Sequence, residues 1–346
     1  MWLLASLACT EPPPAEEPRC APEPGEIIRL ETGALYAYLD RAMDDGRGLR
    51  TLCLGEGSYE TSMELQETEA EILRGRLSLV GAGSDRTLLV SEDGDPWVLR
   101  VASDVSLEGL GFTMPVEVEG LTLSVTDVAL RGFDTEALAA RFEGVESLQI
   151  QGLQLAELEV TGRALELSAG EDAEAMQIED LQLLDLRSMT GELAALEHPA
   201  RIEGLLVTDN VALTNTPGAS GVTAGELELV DASLTGNELN GPVLAPAGAL
   251  TASGLRVSGN LSRVLGALTL TEDADIRDST FTDNSGGGGA ISLVFVEAER
   301  RLILESVDMG EDSLDNVPCD IGLNTRCLAD ELGLVELLEC DVSGCR

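Results

Sequence analysis

Four segments of the chain align without gaps: RIEGLLVTDN (201–210), ELVDASLTGN (228–237), TASGLRVSGN (251–260) and DIRDSTFTDN (275–284). Each has Gly or Asp at its fourth position, and each ends in Asn. The fourth position recurs along the chain as Gly81, Gly109, Asp127, Gly152, Asp180, Gly204, Asp231, Gly254, Asp278 and Ser306. The steps between them run from 18 to 28 residues, the length of one solenoid coil. Two residues before this position the side chain is apolar, from Leu79 and Leu107 through Ile202 and Leu229 to Ile276 and Leu304. One residue after it stand Leu110, Val128, Leu153, Leu181, Leu205 and Leu255, with Ser279 as an exception. Three residues after it stand Phe112, Leu130, Leu155, Leu183, Val207, Leu234, Val257, Phe281 and Met309. Alternation within each arm predicts a strand. The phase break at Gly or Asp predicts a bend, because those residues tolerate the left-handed backbone conformation. Two short strands and a tight corner, repeated once per coil, describe an all-β, right-handed, single-stranded parallel β-helix.

Each coil has an apolar face that it cannot cover alone, so neighbouring coils supply the cover, at about 1.5–3 kcal/mol per buried Leu, Ile or Val. Asn210, Asn237, Asn260 and Asn284 close the second arm of successive coils, where their amides can bond along the stack. The run Gly286–Gly289 is then a coil loop, and Ala290-Ile291-Ser292-Leu293 begins the next strand. From Gly109 to Asp278 the corner alternates Gly and Asp, which predicts a solvent-facing column in which alternation keeps like charges about 10 Å apart. A solenoid end is an open sheet edge. Residues 33–45, GALYAYLDRAMDD, place Leu35, Leu39 and Met43 at helical spacing between Thr32 and Gly46, and predict an amphipathic helix capping the N-terminal end. The resulting division is 1–9 leader, 10–27 Pro/Glu-rich linker, 28–315 β-helix and 316–346 Cys-rich C-terminal cap.

Charge narrows the partners. The chain has 63 acidic and 21 basic residues, a net charge of −42, and every basic residue is Arg. Such a surface repels nucleic acid and anionic headgroups. No stretch is long and apolar enough to cross a membrane as a helix. The apolar run Trp2–Ala8 ending before Cys9 resembles a bacterial lipoprotein signal, which implies lipidation of Cys9, membrane contact only through that anchor, and a place in the bacterial cell envelope or outside the cell. Without Cys9 six cysteines remain, four of them in the last 28 residues. That composition suits disulfides, with Cys319–Cys327, Cys340–Cys345 and Cys20–Cys53 as the local pairings and a four-Cys zinc site as the rival.

The segment LYAYLDRAMDDGRGLRTLCLGEGSYE, with Gly57-Ser58-Tyr59, and LSLVGAGSDRTLL (77–89) resemble the start of exported pectate-lyase-like β-helix proteins. FTDN followed by GGAI (Phe281, Asn284, Gly288–Ile291) is similar to one copy of the FxxN/GGAI repeat of polymorphic outer-membrane proteins. The first resemblance implies a carbohydrate-active fold, and the second an adhesin-like surface role.

Chemistry-bearing motifs are sparse. The lyase WiDH-type and polygalacturonase Gly-His-Gly motifs of that superfamily are absent. The single histidine, His198, sits beside Pro199 in a loop. Aromatic residues make up 3% of the chain, and Trp97 and Phe133, outside the inward columns, are too few to form a sugar-stacking platform. Arg163, Arg187, Arg256 and Arg277 are candidate lyase bases, but their acidic surroundings favour ion pairing. SEDGDP and MGEDSLDNVPCD supply hard oxygen ligands that suit Ca²⁺, with Asp93, Asp95, Asp312, Asp315 and Asp320 as candidates. These observations point to an exported, monomeric, non-catalytic scaffold or adhesin-like module that meets a surface protein or polysaccharide and uses no cofactor. The alternative is a polysaccharide lyase or hydrolase with a divergent acidic site.

Overall fold

The computed structural model describes residues 27–30, 50–60, 64–65, 76–91, 94–100, 103–136, 138–170, 172–173, 175–189, 192–212, 220–294, 300–311, 315–323, 326–330, 332–341 and 344–346. All of its regular structure is β. One coil shows the plan. Ala200–Glu203 forms the first strand, Gly204 turns the chain, and Leu206–Thr208 forms the second strand. Asp209 turns it again, Val211–Ala212 makes a two-residue third strand, and Val222–Ala224 makes the fourth. Each strand pairs in parallel with its counterpart in the next coil, giving four ladders, A to D in chain order. The fold is a parallel β-helix.

Ladder A runs from Ile27–Leu30 through Arg50–Leu54 and Arg76–Val80 to Leu302–Asp308. Its register joins Leu52, Leu79, Leu107, Val125, Ile150, Ile178, Ile202, Leu229, Ala252, Ile276 and Leu304 in one column. All of these residues are buried, as are the two inward columns on the far side of the corner, so the repeat read from the apolar positions is the repeat of the fold. Even Ser279 is buried, with its hydroxyl accepting from the Leu255 N–H and donating to the Arg277 carbonyl.

The corner column is left-handed from Gly109 (φ 62°) through Asp127, Gly152, Asp180, Gly204, Asp231, Gly254 and Asp278 to Ser306 (φ 56°). Its aspartates at 180, 231 and 278 face solvent, as expected. Charge spacing does not account for the alternation, however. The second corner is also left-handed, and it stacks Glu157, Asp185 and Asp209 in consecutive coils, all exposed. At Gly204 and Gly254 the cause is steric. A Cβ added at Gly204 would stand 2.7 Å from Asp180 Oδ1, and one at Gly254 would stand 2.5 Å from Asp231 Oδ1. Each of these carboxylates lies over the bare backbone of the next coil.

At the C-terminal end the parallel stack is stopped by strands of opposite direction. Leu334–Asp341 pairs antiparallel with Leu302–Asp308, and Arg326–Ala329 pairs antiparallel with Ile321–Leu323. The disulfides Cys319–Cys327 and Cys340–Cys345 staple these returns. The parallel ladder D continues through Ile321–Leu323, so the expected boundary at 315/316 falls inside the last parallel coil. No helix occurs among the described residues, and the expected capping helix at 33–45 lies outside them.

Asparagine closes the second corner. Asn210, Asn237, Asn260, Asn284 and Asn316 are buried and stacked, and each Nδ2 donates to the Oδ1 of the next at 2.9 Å. The same Oδ1 atoms accept the backbone N–H of the preceding asparagine. Each Nδ2 also donates to an inward-column carbonyl one coil back: Leu183, Val207, Leu234, Val257 and Phe281. Backbone groups that a tight corner strips of strand partners are thus paired by side chains.

Two stability measurements by urea unfolding check this account. Gly204→Ala is expected to cost about 1–2 kcal/mol alone, and at least about 0.5 kcal/mol less when Asp180→Ala has removed the overlying carboxylate. Strict additivity would contradict the steric account. Asn260→Ala leaves the Asn237 N–H, one Asn237 amide hydrogen and the Leu234 carbonyl unpaired and is expected to cost about 2 kcal/mol or more, whereas Thr251→Ala on the exposed face changes stability by less than about 0.5 kcal/mol.

Candidate functional site

The site residues expected from sequence fall into three groups. Cys9, Cys20, Asp93 and Asp312 lie outside the described residues. Cys53 is buried and disulfide-bonded, and the four C-terminal cysteines are paired with each other as expected, which leaves no thiolate there for zinc. Of the remaining Ca²⁺ candidates, Asp95 is exposed and Asp315 is half-buried, accepting from the Asn316 N–H at 3.0 Å.

Asp320 belongs to the asparagine ladder and not to a cation loop. It is fully buried. Its Oδ1 accepts from Asn316 Nδ2 at 2.9 Å, and its Oδ2 accepts from the Leu332 N–H at 2.7 Å. Every amide in the ladder donates toward the C-terminal end, so the last one needs a partner that accepts and has nothing to donate. A carboxylate is that partner, and it also joins the last coil to the returning chain. Among the described residues no group of three or more His, Cys, Asp or Glu side chains is placed to hold a metal ion.

The outward faces of ladders A and D carry the charged surface chemistry. Most arginines there are tied to carboxylates of the same or adjoining coils, Arg100, Arg141 and Arg163 on ladder D or beside it and Arg201 and Arg277 on ladder A. Arg100 pairs with Glu117 at 2.7 Å, Arg141 with Glu166 at 2.7 Å, and Arg201 with Glu228. Arg163 touches Glu166 at 2.8 Å, Glu192 at 2.5 Å and Glu197 at 3.6 Å. Arg277 touches Asp275 at 2.9 Å and Glu305 at 2.8 Å. Burial pulls the Arg163 guanidinium down, but its hydrogen bond to Glu192 and the charges of Glu192, Glu166 and Glu197 outweigh that and hold it above its ordinary value. At Arg277 the hydrogen bond and charge of Asp275, with Glu305, act in the same direction. Arg187 and Arg256 are exposed and make no ion pair among the described residues.

Earlier along ladder A lies a mostly neutral patch. Three adjoining strands of ladder A form a shallow cleft of about 190 Å³ lined by Ser124, Thr126, Gln149, Gln151, Gln177 and Glu179. Parallel register aligns Ser124, Gln149 and Gln177 in one outward column and Thr126, Gln151 and Glu179 in the other. Glu179 is the one titratable side chain in the cleft, and its Oε2 accepts from Gln151 Nε2 at 3.1 Å. This cleft was not singled out from sequence, because outward residues form a face only once the coil register is known. His198 lies apart from it, with Nε2 3.0 Å from the Ala173 carbonyl. Trp97, expected outside the core, is fully buried against Phe112 with ring centroids 5.7 Å apart, and Phe133 packs on the core half-buried.

No protein-family model matches the chain, and no curated protein matches it. Among solved structures, the A-module of mannuronan C-5 epimerase AlgE6 from Azotobacter vinelandii aligns with 76% of this chain and 88% of its own, at 16% identity and a TM-score of 0.34. That overlap is too loose to carry an argument about activity.

Asp320 gives a test with a defined sign. Asp320→Asn sets an N–H against either Asn316 Nδ2 or the Leu332 N–H and is expected to cost about 1–3 kcal/mol. Burial raises the Asp320 carboxyl above its ordinary value, opposed by the hydrogen bonds from Leu332 and Asn316 and helped by the charges of Asp315 and Asp330. A carboxyl raised on folding binds its proton more tightly in the folded state. Its contribution is complete below the ordinary Asp value of about 4 and declines as pH rises through the raised value. The stability gap between wild type and Asp320→Asn therefore narrows from about pH 4 toward neutrality; a gap that widens over that range would show that the hydrogen bonds from Leu332 and Asn316 outweigh burial.

Proposed function

We propose that the protein is a non-catalytic scaffold of the bacterial cell envelope, a stiff β-helical rod that binds another macromolecule on its outer face. The observation that carries this reading is the cleft on ladder A. Its amides and hydroxyls donate and accept hydrogen bonds but do not titrate near neutral pH, and its one carboxylate is engaged by Gln151. A lyase of the expected type needs an arginine that gives up its proton. The carboxylates around Arg163 and Arg277 hold that proton more firmly, which is the wrong direction for a base.

The C-terminal disulfides suit an oxidising compartment outside the cytosol. In this reading Cys9 carries the lipid anchor, the Pro/Glu-rich stretch that follows is an extended spacer, and the rod acts as a monomer. No cofactor enters the reading.

The test is turnover. Purified protein is incubated with polygalacturonate, alginate, xylan and β-glucan, with and without Ca²⁺, and assayed for new reducing ends and unsaturated products. The expected result is no product above the blank. Product that disappears in Glu179→Gln or Arg163→Ala would establish the alternative, a polysaccharide lyase or hydrolase with a divergent acidic site.

A further inference from the structure

The outward face of ladder B differs from that of ladder A beside it. Ladder B turns two residues per coil outward between the two left-handed corners, and from residue 129 to residue 282 none of the described outward positions is a carboxylate. In a chain with 63 acidic residues this is a cleared strip. Ladder A over the same coils carries Glu179, Glu203, Glu228 and Asp275 outward. What ladder B presents instead is amides, hydroxyls and aliphatic side chains, with two exposed arginines, Arg131 and Arg256, among them. Gln154 Nε2 donates to Gln182 Oε1 at 2.8 Å, the Ser233 and Thr235 hydroxyls lie 3.1 Å apart, and Thr235, Ser258 and Thr282 follow one another in register. The strip is flat, and its hydroxyl rows repeat at the coil spacing of about 4.8 Å. Both edges are acidic: Asp180, Asp231 and Asp278 line one, and Glu157, Asp185 and Asp209 line the other.

Charge decides what fits there. A polyanion meets six rim carboxylates against the two arginines of the strip and is repelled. A polycation would be held by almost any face of a chain with a net charge of −42, so it does not explain a face from which acids are missing. For a neutral ligand the clearing matters. Each carboxylate beneath it would lose its water without gaining a counter-charge, a cost of several kcal/mol per buried ion. A protein partner would call for an aromatic or apolar core to the contact, and the outward strip holds no aromatic side chain. Hydroxyl-rich chains need what the strip offers, namely paired donors and acceptors at regular intervals, with Leu184 and Leu206 half-buried among them to meet ring C–H faces.

We propose that the outer face of ladder B is a docking surface for an uncharged, hydroxyl-rich polysaccharide lying along the rod axis. It extends the binding role proposed above and rests on that role. Single contacts on so flat a face are weak, and affinity accumulates along the polymer.

Affinity electrophoresis in native gels containing dextran, hydroxyethylcellulose or β-1,3-glucan, against gels containing polygalacturonate or alginate, tests the proposal. The wild type should be retarded by at least one of the neutral polymers and by neither acidic one. The double variant Thr235→Asp/Ser258→Asp should lose about tenfold or more in apparent affinity. Thr235→Ser should retain binding, and Thr251→Asp/Ser253→Asp, which adds the same two charges on ladder A, should leave it unchanged. Should Thr235→Asp/Ser258→Asp unfold at a lower urea concentration, Thr235→Ala/Ser258→Ala replaces it and should also weaken binding. No retardation by any neutral polymer, equal retardation by the acidic ones, or neutral binding that survives the double variants of ladder B overturns the docking face while leaving the scaffold reading intact. Turnover of a bound polymer instead overturns the non-catalytic reading and leaves the docking face standing.

Discussion

The constraint on which this molecule depends is the pairing of backbone groups at its second corner. A coil that turns in one left-handed residue leaves an N–H and a carbonyl facing inward with no strand opposite them. Five stacked asparagines meet that need, each accepting one backbone N–H, donating to one backbone carbonyl and passing a hydrogen bond to the next. Because each bond reaches into a neighbouring coil, the corner of one coil is completed only when the next is in register. The aliphatic columns then follow, since register at the corner places Val207, Leu234, Val257 and Phe281 over one another. In earlier coils Leu158 and Leu186 stand where the asparagines stand later, and the ladder begins where the Leu186 N–H donates to Asn210 Oδ1. It ends on Asp320, an acceptor with no proton to give.

This division of labour leaves the exterior free. Inward positions are filled by aliphatic side chains and buried amides, corners by Gly, Asp and Asn, and ends by antiparallel returns and disulfides. None of these depends on the outward residues of ladders A and B, so those residues answer to solubility and to partners. The acidic zones carry cross-coil Arg–carboxylate pairs, each exposed and worth little on its own. The neutral zones carry amides and hydroxyls. Charged and neutral outward faces thus coexist on one β-helix.

Much of this was legible in the sequence because the backbone needs of a corner are chemically narrow. Only residues that accept positive φ recur at the first corner, and Gly and Asp marked it from Gly109 to Asp278. The inward columns stood out because burial tolerates little but aliphatic side chains. The second corner was harder to see: Glu157 and the successive Asp185 and Asp209 blur the glycine signature, and the Asn signal begins only at residue 210. Asn316 escaped because 32 residues separate it from Asn284. Asp320 was read as a cation ligand since spacing alone does not reveal whether a carboxylate is buried. The faces of ladders A and B were invisible until register placed residues some 25 positions apart side by side.

Amide hydrogen exchange at the second corner tests the central claim most directly. The backbone N–H groups of Asn237 and Asn260 sit in turns, where exchange is ordinarily fast, yet each donates to a buried asparagine oxygen in the next coil. The account predicts that both exchange as slowly as the strand amides of Leu234 and Val257 and open only with the rod as a whole. Exchange of these corner amides at the rates of exposed loops, while the neighbouring strands stay protected, would show that the asparagine ladder does not hold the coils together.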